Sequence, residues 1–336
     1  MRVFKYICFL LLILIIGFCT YISVQPNTYN VSRSRTINVP TQLLFEQVRD
    51  YQNWDNWSPW IEKDSSLNVS CSTQNTPIDS SYSWKRKDRT VKIKTIMISP
   101  HDSIHHELQF ENQPISHVYW NFEKDHKITL RMTSNKMTFM MKFFALIAGG
   151  MDKMVGPNFE RSLEKLEHLI LESMHKYEIN ITGIKSYGGG YYLYKTTNAN
   201  SANISQKMKE HYSSIARYMM SYNIPVKGIP LTVYQNMNIA DSTFVMSNGL
   251  SVNTEVDTKE DSGILCAYIP HTKALKTILK GNYTKRIAAW TAAQKYIRDN
   301  ALEQSELKPF EIYINDPKDF PNPSDWITEL YIPIKE

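Results

Sequence analysis

The chain begins with a short basic head and an unbroken apolar run. Arg2 and Lys5 precede an uncharged stretch, residues 6–24, whose centre reads ICFLLLILII. At ~1.5 Å per residue this stretch extends ~28 Å, close to the ~30 Å hydrocarbon core of a bilayer. Tyr6 and Tyr21 stand near its ends, where amphipathic rings favour the interface. The run is apolar all round, unlike a helix packed on a core by one face. No small-residue cleavage site follows it, and Ile16-Gly17-Phe18 before Cys19 is a poor lipoprotein signal. The expectation is an uncleaved single-pass anchor over residues 1–27, with the membrane as partner through residues 6–24. The basic head favours the N-terminus inside and the soluble bulk outside. Arg33 and Arg35, beyond the span, weaken that orientation.

Residues 28–176 alternate in the manner of strands and close on a helix. VSRSRTINV (31–39) alternates with β-branched residues and predicts a strand. Pro40-Thr41 opens a helix with Leu44, Phe45 and Val48 on one side. Strand-like segments follow at 67–71, 82–87, 91–98, 104–110, 118–122 and 127–132, a spacing that predicts an antiparallel meander. Phe159, Leu163, Leu166 and Ile170 then recur at helical spacing, with Gly149-Gly150 and Gly156-Pro157 interrupting the helical pattern before them. Trp54, Trp57 and Trp60, three residues apart, read as a seal on one end of a core. His105 and His106 are neighbours on a strand, so they point to opposite faces and with His101 make no metal site.

Residues 177–336 repeat themselves. A strand at 191–196, a helix at 201–222 and strands at 228–236 and 243–252 are followed by the same order at 274–280, 283–300, 308–316 and 326–334. Asn282 is placed to cap the second helix. Two such copies pair their sheets about a pseudo-two-fold axis, with a cleft between them. In the last strand Leu330, Ile332 and Ile334 alternate with Glu329, Tyr331 and Pro333. If the aliphatic set packs on the helices, Glu329 and Tyr331 face the cleft. A carboxylate partly desolvated among aromatic rings attracts an organic cation. Trp290, Trp326, Tyr283 and Tyr192 are the candidate rings, although each also fits a core. The competing reading leaves Glu329 on a wetted sheet face in a surface ion pair. The first copy has Ser247 and Gly249 where the second has Glu329 and Tyr331, so the cleft is asymmetric.

Composition adds mostly exclusions. The chain has 336 residues, a formal net charge of +5 and 42% hydrophobic residues, which is ordinary for a globular protein of two domains. The charge excess is small and dispersed, so no nucleic-acid partner is expected. Four cysteines, Cys8, Cys19, Cys71 and Cys266, form neither a disulfide framework nor a C-x-x-C zinc pair. No metal or cofactor is expected. Gly188-Gly189-Gly190 lacks the partners of a phosphate loop and reads as a flexible turn.

The opening RSRTINVP, the stretch FEQVRDYQNWDNWSPW and the helix that closes the region resemble the helix-grip fold of the START/polyketide-cyclase-like (SRPBCC) superfamily. That resemblance implies an apolar ligand cavity between sheet and helix, and no particular reaction. KTILKGNYTKRIAAWTAAQKYI (276–297) and DWITELYIPI (325–334) resemble the GyrI-like, SOUL-like effector-binding domain. It implies binding of amphipathic, often cationic small molecules in the central cleft, with Glu329 at the position of an acidic residue that faces the ligand. Regulators of that family carry a helix-turn-helix, and none is apparent here. The fold class expected is α+β: an anchor, a helix-grip antiparallel sheet domain, then a duplicated strand-helix-strand-strand domain. The expected function is membrane-anchored binding of a hydrophobic or amphipathic small molecule. The alternatives are a hydrolase of reactive electrophiles with Glu329 as general base, and a non-catalytic interaction protein of the envelope. No Ser-His-Asp set is legible, and no catalytic residue is assigned.

Overall fold

The computed structural model describes residues 2–59, 68–72, 78–86, 89–239 and 241–335. Trp60, and residues 67 and 87 at the ends of two expected strands, lie outside them. The chain divides after Glu172 into two units.

The first unit starts with α1 (Arg2–Ser23), apolar and exposed along nearly its whole length, with Ile22 buried near its end. A seven-stranded antiparallel sheet follows in the order β1-β7-β6-β5-β4-β3-β2. Its strands are β1 (Tyr29–Thr36), β2 (Asn68–Ser72), β3 (Ser81–Arg86), β4 (Arg89–Ser99), β5 (Ser103–Phe110), β6 (Ser116–Phe122) and β7 (Lys127–Ser134). The period-two alternation seals one face: Ile104, His106 and Leu108 on β5, Val118, Trp120 and Phe122 on β6, and Ile128, Leu130 and Met132 on β7 are buried. Two short helices, α2 (Thr41–Arg49) and α3 (Trp54–Trp57), bury Leu44, Phe45, Val48, Trp54 and Trp57. Trp57 meets Trp120 edge to face at 5.7 Å, so Trp54 and Trp57 are core residues.

Helix α4 (Phe139–Ala148) is capped by Thr138, whose Oγ1 accepts from the Met141 N–H at 3.3 Å. It ends at Gly149, whose φ of 81° suits glycine. Gly156-Pro157, by contrast, does not interrupt the helix: α5 (Met151–His175) runs through it. The reason comes from a distant strand. Asp152, Gly156 and Glu160 lie one turn apart on one face, and the Arg33 guanidinium of β1 lies across Gly156. A Cβ there would stand 2.2 Å from Nη2. Arg33 ion-pairs with Asp152 at 2.7 Å and Glu160 at 2.5 Å, bracketing the turn that contains the proline.

The second unit is an eight-stranded sheet ordered β12-β9-β11-β10-β14-β15-β13-β8. One copy of the repeat supplies β9 (Gly190–Asn200), α6 (Ile204–Ser221), β10 (Pro230–Asn238) and β11 (Thr243–Val252). The other supplies β13 (Thr272–Gly281), α7 (Arg286–Asp299), β14 (Phe310–Tyr313) and β15 (Ile327–Pro333). Two strands were not expected: β8 (Tyr177–Tyr187) and β12 (Leu265–Ile269). Each precedes one copy in the chain but pairs with the other copy, β8 with β13 and β12 with β9. The repeat is therefore strand-strand-helix-strand-strand with exchanged edge strands, and the order reads the same from either edge. At its centre Thr232 of β10 pairs with Glu311 of β14. That register makes Leu231 equivalent to Phe310, one residue away from a match of 228 with 308. The helix-side core joins Met208, Tyr234, Leu275, Leu279, Trp290 and Leu330. The other face gathers Tyr192, Leu231, Val233, Ala274, Phe310 and Tyr331.

Candidate functional site

The site is built on the sheet face turned away from the helices. Leu330 and Ile332 enter the helix-side core, so period two sends Glu329 and Tyr331 to the opposite face. The Tyr331 hydroxyl donates to Glu329 Oε2 at 2.6 Å. Lys276 of β13, directly across the ladder from Tyr331, places Nζ 2.7 Å from Glu329 Oε1. The same ammonium lies 5.6 Å from the centroid of the Tyr331 ring. Both side chains of the ion pair are mostly enclosed, 21% exposed for Lys276 and 17% for Glu329. Burial, and then the hydrogen bond to Glu329, push the Tyr331 phenol above its ordinary value, so it stays a donor.

Aromatic rings gather round Tyr331. Phe310 stacks on Tyr331 at 5.0 Å, and Tyr187 packs against both, at 4.7 and 5.3 Å. Tyr192 belongs to the same apolar face, with burial raising its phenol to about 12. Gly249 of β11 lies beneath Tyr192; a Cβ there would stand 2.7 Å from the Tyr192 ring and 2.8 Å from the Leu193 carbonyl. By strand register Gly249 and Ser247 occupy, in the first copy, the places of Tyr331 and Glu329.

The sequence-derived site therefore divides. Glu329, Tyr331 and Tyr192 share one face. Trp290, Tyr283 and Trp326 do not join them. Trp290 is buried in the helix-side core, where its indole N–H donates to Glu311 Oε1 at 2.6 Å. Tyr283 packs against that core and meets the Trp326 ring at 4.6 Å, tilted by 35°. Residue type alone selects these three rings; Trp290 follows the inward stripe of α7, while Tyr283 and Trp326 lie just ahead of α7 and β15.

A second polar cluster lies among those helix-side residues. Glu311 is fully buried. It accepts from Trp290 and from the Tyr313 hydroxyl, the latter at 2.5 Å, and stands 3.8 Å from Arg286. Across the pseudo-axis Thr232 donates to Asn248 at 2.8 Å and lies 2.9 Å from the Tyr212 hydroxyl. Burial above all drives the Tyr234 and Tyr313 phenols well above their usual range. This cluster cross-links strands and helices at the point where the copies meet. Its signal in the sequence is one glutamate inside an otherwise apolar strand, PFEIY. Lys276 and Tyr187 were also missed; Lys276 shares the parity of Ala274, but only the register sets it opposite Tyr331.

The described residues also form a pocket of about 470 Å³ at the ends of β9, β10 and β11, lined by Asn198, Asn200, Asn203, Asn236, Asn238 and Phe244 among others. None of its lining residues belongs to the Glu329 cluster. Several of its asparagines are spent on turns: Asn200 and Asn203 cap each other's backbone, and Asn238 binds Asp241.

Comparison with known proteins places both units. Residues 28–170 match the polyketide cyclase / dehydrase and lipid transport family, and residues 191–335 match the GyrI-like small molecule binding domain. Each unit carries a domain family of its own. No curated protein matches the chain. Among solved structures, the C-terminal domain of EcmrR is similar over 48% of this chain and 98% of its own, at 18% identity and a TM-score of 0.41. An EcmrR-DNA complex matches 60% of this chain and 73% of its own, at 17% identity and a TM-score of 0.41. The major latex-like protein 151 of Panax ginseng matches 43% of this chain and 97% of its own, at 10% identity and a TM-score of 0.33. The SRPBCC-like and GyrI-like units stand in the expected order, and the fold is α+β with two antiparallel sheets. Both families are consistent with small-molecule binding.

Proposed function

We propose that the chain is a membrane-anchored receptor for a hydrophobic or amphipathic small molecule, held over Glu329, Tyr331 and Lys276 in the second unit. The observation that carries this reading is an enclosed carboxylate bonded to Tyr331, whose ring packs with Phe310 and Tyr187, and satisfied by an ammonium of the protein itself. An organic cation takes the place of Lys276 against Glu329 and the Tyr331 ring. The built-in ammonium then acts as a competitor and sets a threshold for cation affinity. The apolar helix α1 fits the length of a membrane span and holds the soluble units at a bilayer. Both oxygens of Glu329 already accept a hydrogen bond or ion pair, which favours recognition over proton abstraction.

The test is equilibrium binding of a quaternary-ammonium dye and of an uncharged dye to the full chain in lipid nanodiscs. Glu329→Gln weakens the cation about tenfold and leaves the neutral dye unchanged. Lys276→Met tightens the cation about fivefold, since an ion pair of this kind contributes ~1 kcal/mol. Equal affinities for the cation in wild type and both variants would overturn the reading.

A further inference from the structure

Helix α4, FMMKFFALIA, carries one charged residue in ten, and that residue is turned inward. Its Met140, Phe144 and Ile147 lie at i, i+4 and i+7 on one stripe and are 50%, 49% and 67% exposed. Phe139 beside them is also exposed. A contiguous apolar stripe of this kind needs an occupant. Two contacts say which. Phe143, on the flank of that stripe three residues from Met140 and four from Ile147, meets Phe18 of α1 edge to face at 6.3 Å. Lys142 Nζ donates to the Ser23 carbonyl at the C-terminus of α1 at 2.9 Å, a cation at the negative end of a helix dipole. The apolar stripe of α4 is thus continuous with the exposed apolar surface of α1, at the level of its last turn and a half. At ~1.5 Å per residue, Phe18 lies ~8 Å inside the end of the span. That is the ~5–10 Å depth at which amphipathic helices lie along a bilayer surface.

We propose that α4 is an interfacial helix: its Met140, Phe144 and Ile147 stripe inserts at the headgroup–acyl boundary of the leaflet in which α1 ends. The inference rests on reading α1 as a membrane span. The first unit is then held by two elements, a crossing helix and one lying in the interface, joined by Lys142 at the boundary where an ammonium is stable. Gly149-Gly150, both at positive φ, turn the chain from α4 into α5 and away from the lipid.

The experiment uses the full chain in phosphatidylcholine vesicles, with its native cysteines replaced by serine and a nitroxide on single cysteines at positions 140, 144 and 147. Position 12 reports the centre of the span, and position 125, in the exposed turn after β6, reports water. Collision rates with oxygen and with a water-soluble nickel complex are measured at each. Positions 140, 144 and 147 are expected to show an oxygen-to-nickel ratio several-fold above position 125 and below position 12. A ratio at 144 and 147 equal to that at 125, with position 12 still shielded, overturns the inference and leaves the anchor standing. A nickel-accessible position 12 overturns both. Strong spin–spin broadening between labels at 147 would show a second copy covering the stripe and would also overturn it. The labelled side chains are exposed, so the substitutions leave the core intact.

Discussion

At the scale of single residues, the buried polar groups carry the sharpest consequences. Glu311 holds Arg286, Trp290 and Tyr313 together without solvent. Glu311→Ala leaves a buried guanidinium without its carboxylate and the Trp290 indole N–H without its acceptor, a loss of ~3–5 kcal/mol. The check is the denaturant midpoint of the full chain together with hydrogen exchange over α7; a change below ~1 kcal/mol would count against this role. His106, fully buried beside Tyr51 and Thr95, is held neutral by burial, with its pKa lowered from 6.5 to about 3. The unfolded chain therefore binds a proton that the folded chain refuses. This contribution to stability is complete above pH 6.5 and is lost as the pH falls towards 3. The slope approaches ~1.4 kcal/mol per pH unit. Urea midpoints of the first unit between pH 7 and pH 5 will show this slope in wild type and a flatter one in His106→Gln.

At the scale of elements, the exchange of edge strands depends on tight crossings. Gly189 links β8 to β9 at a φ of 80°, and a Cβ there would stand 2.5 Å from the Ile269 carbonyl of β12. Gly189→Ala meets both backbone strain and a backbone clash and should cost ~2 kcal/mol or more. Gly188→Ala, with nothing within 4 Å of its Cβ, is the control and should leave the thermal midpoint nearly unchanged. A Gly189→Ala midpoint equal to that of the control would show that the crossing is slack. Elements were read well from the sequence where one face is buried and the other wet. The strands of the meander, α2, α6, α7 and the last strand all stand within a few residues of their expected places. β8 and β12 were invisible because neither shows a clean alternation. Edge strands with both faces part-exposed lack the period that marks the others. The interruption expected at Gly156-Pro157 failed because the penalty for a proline is local, whereas Arg33 comes from a strand more than a hundred residues earlier.

At the scale of the whole molecule, the proposed function makes α1 the element that sets where the chain resides. The full chain should sediment with membranes and resist alkaline carbonate, while a chain lacking residues 2–24 should be released. Release of the full chain by carbonate would refute the anchor. The apolar run, the two unit types, their order and the duplication in the second unit were all legible in the sequence, because each rests on short-range patterns: length of an apolar stretch, period two, period 3.6 and internal repetition. Even the direction of Glu329 and Tyr331 followed from alternation along one strand. What only the tertiary structure decided is which residues meet. Lys276 reaches Glu329, Tyr187 leans on Phe310, and Trp290 turns to Glu311 rather than to the face of Glu329, because strand register and the exchange of β8 and β12 bring together positions far apart in the chain. Alternation tells a side chain which face to take; the ladder, formed across sequence distances that no local pattern encodes, tells it whom it will face there.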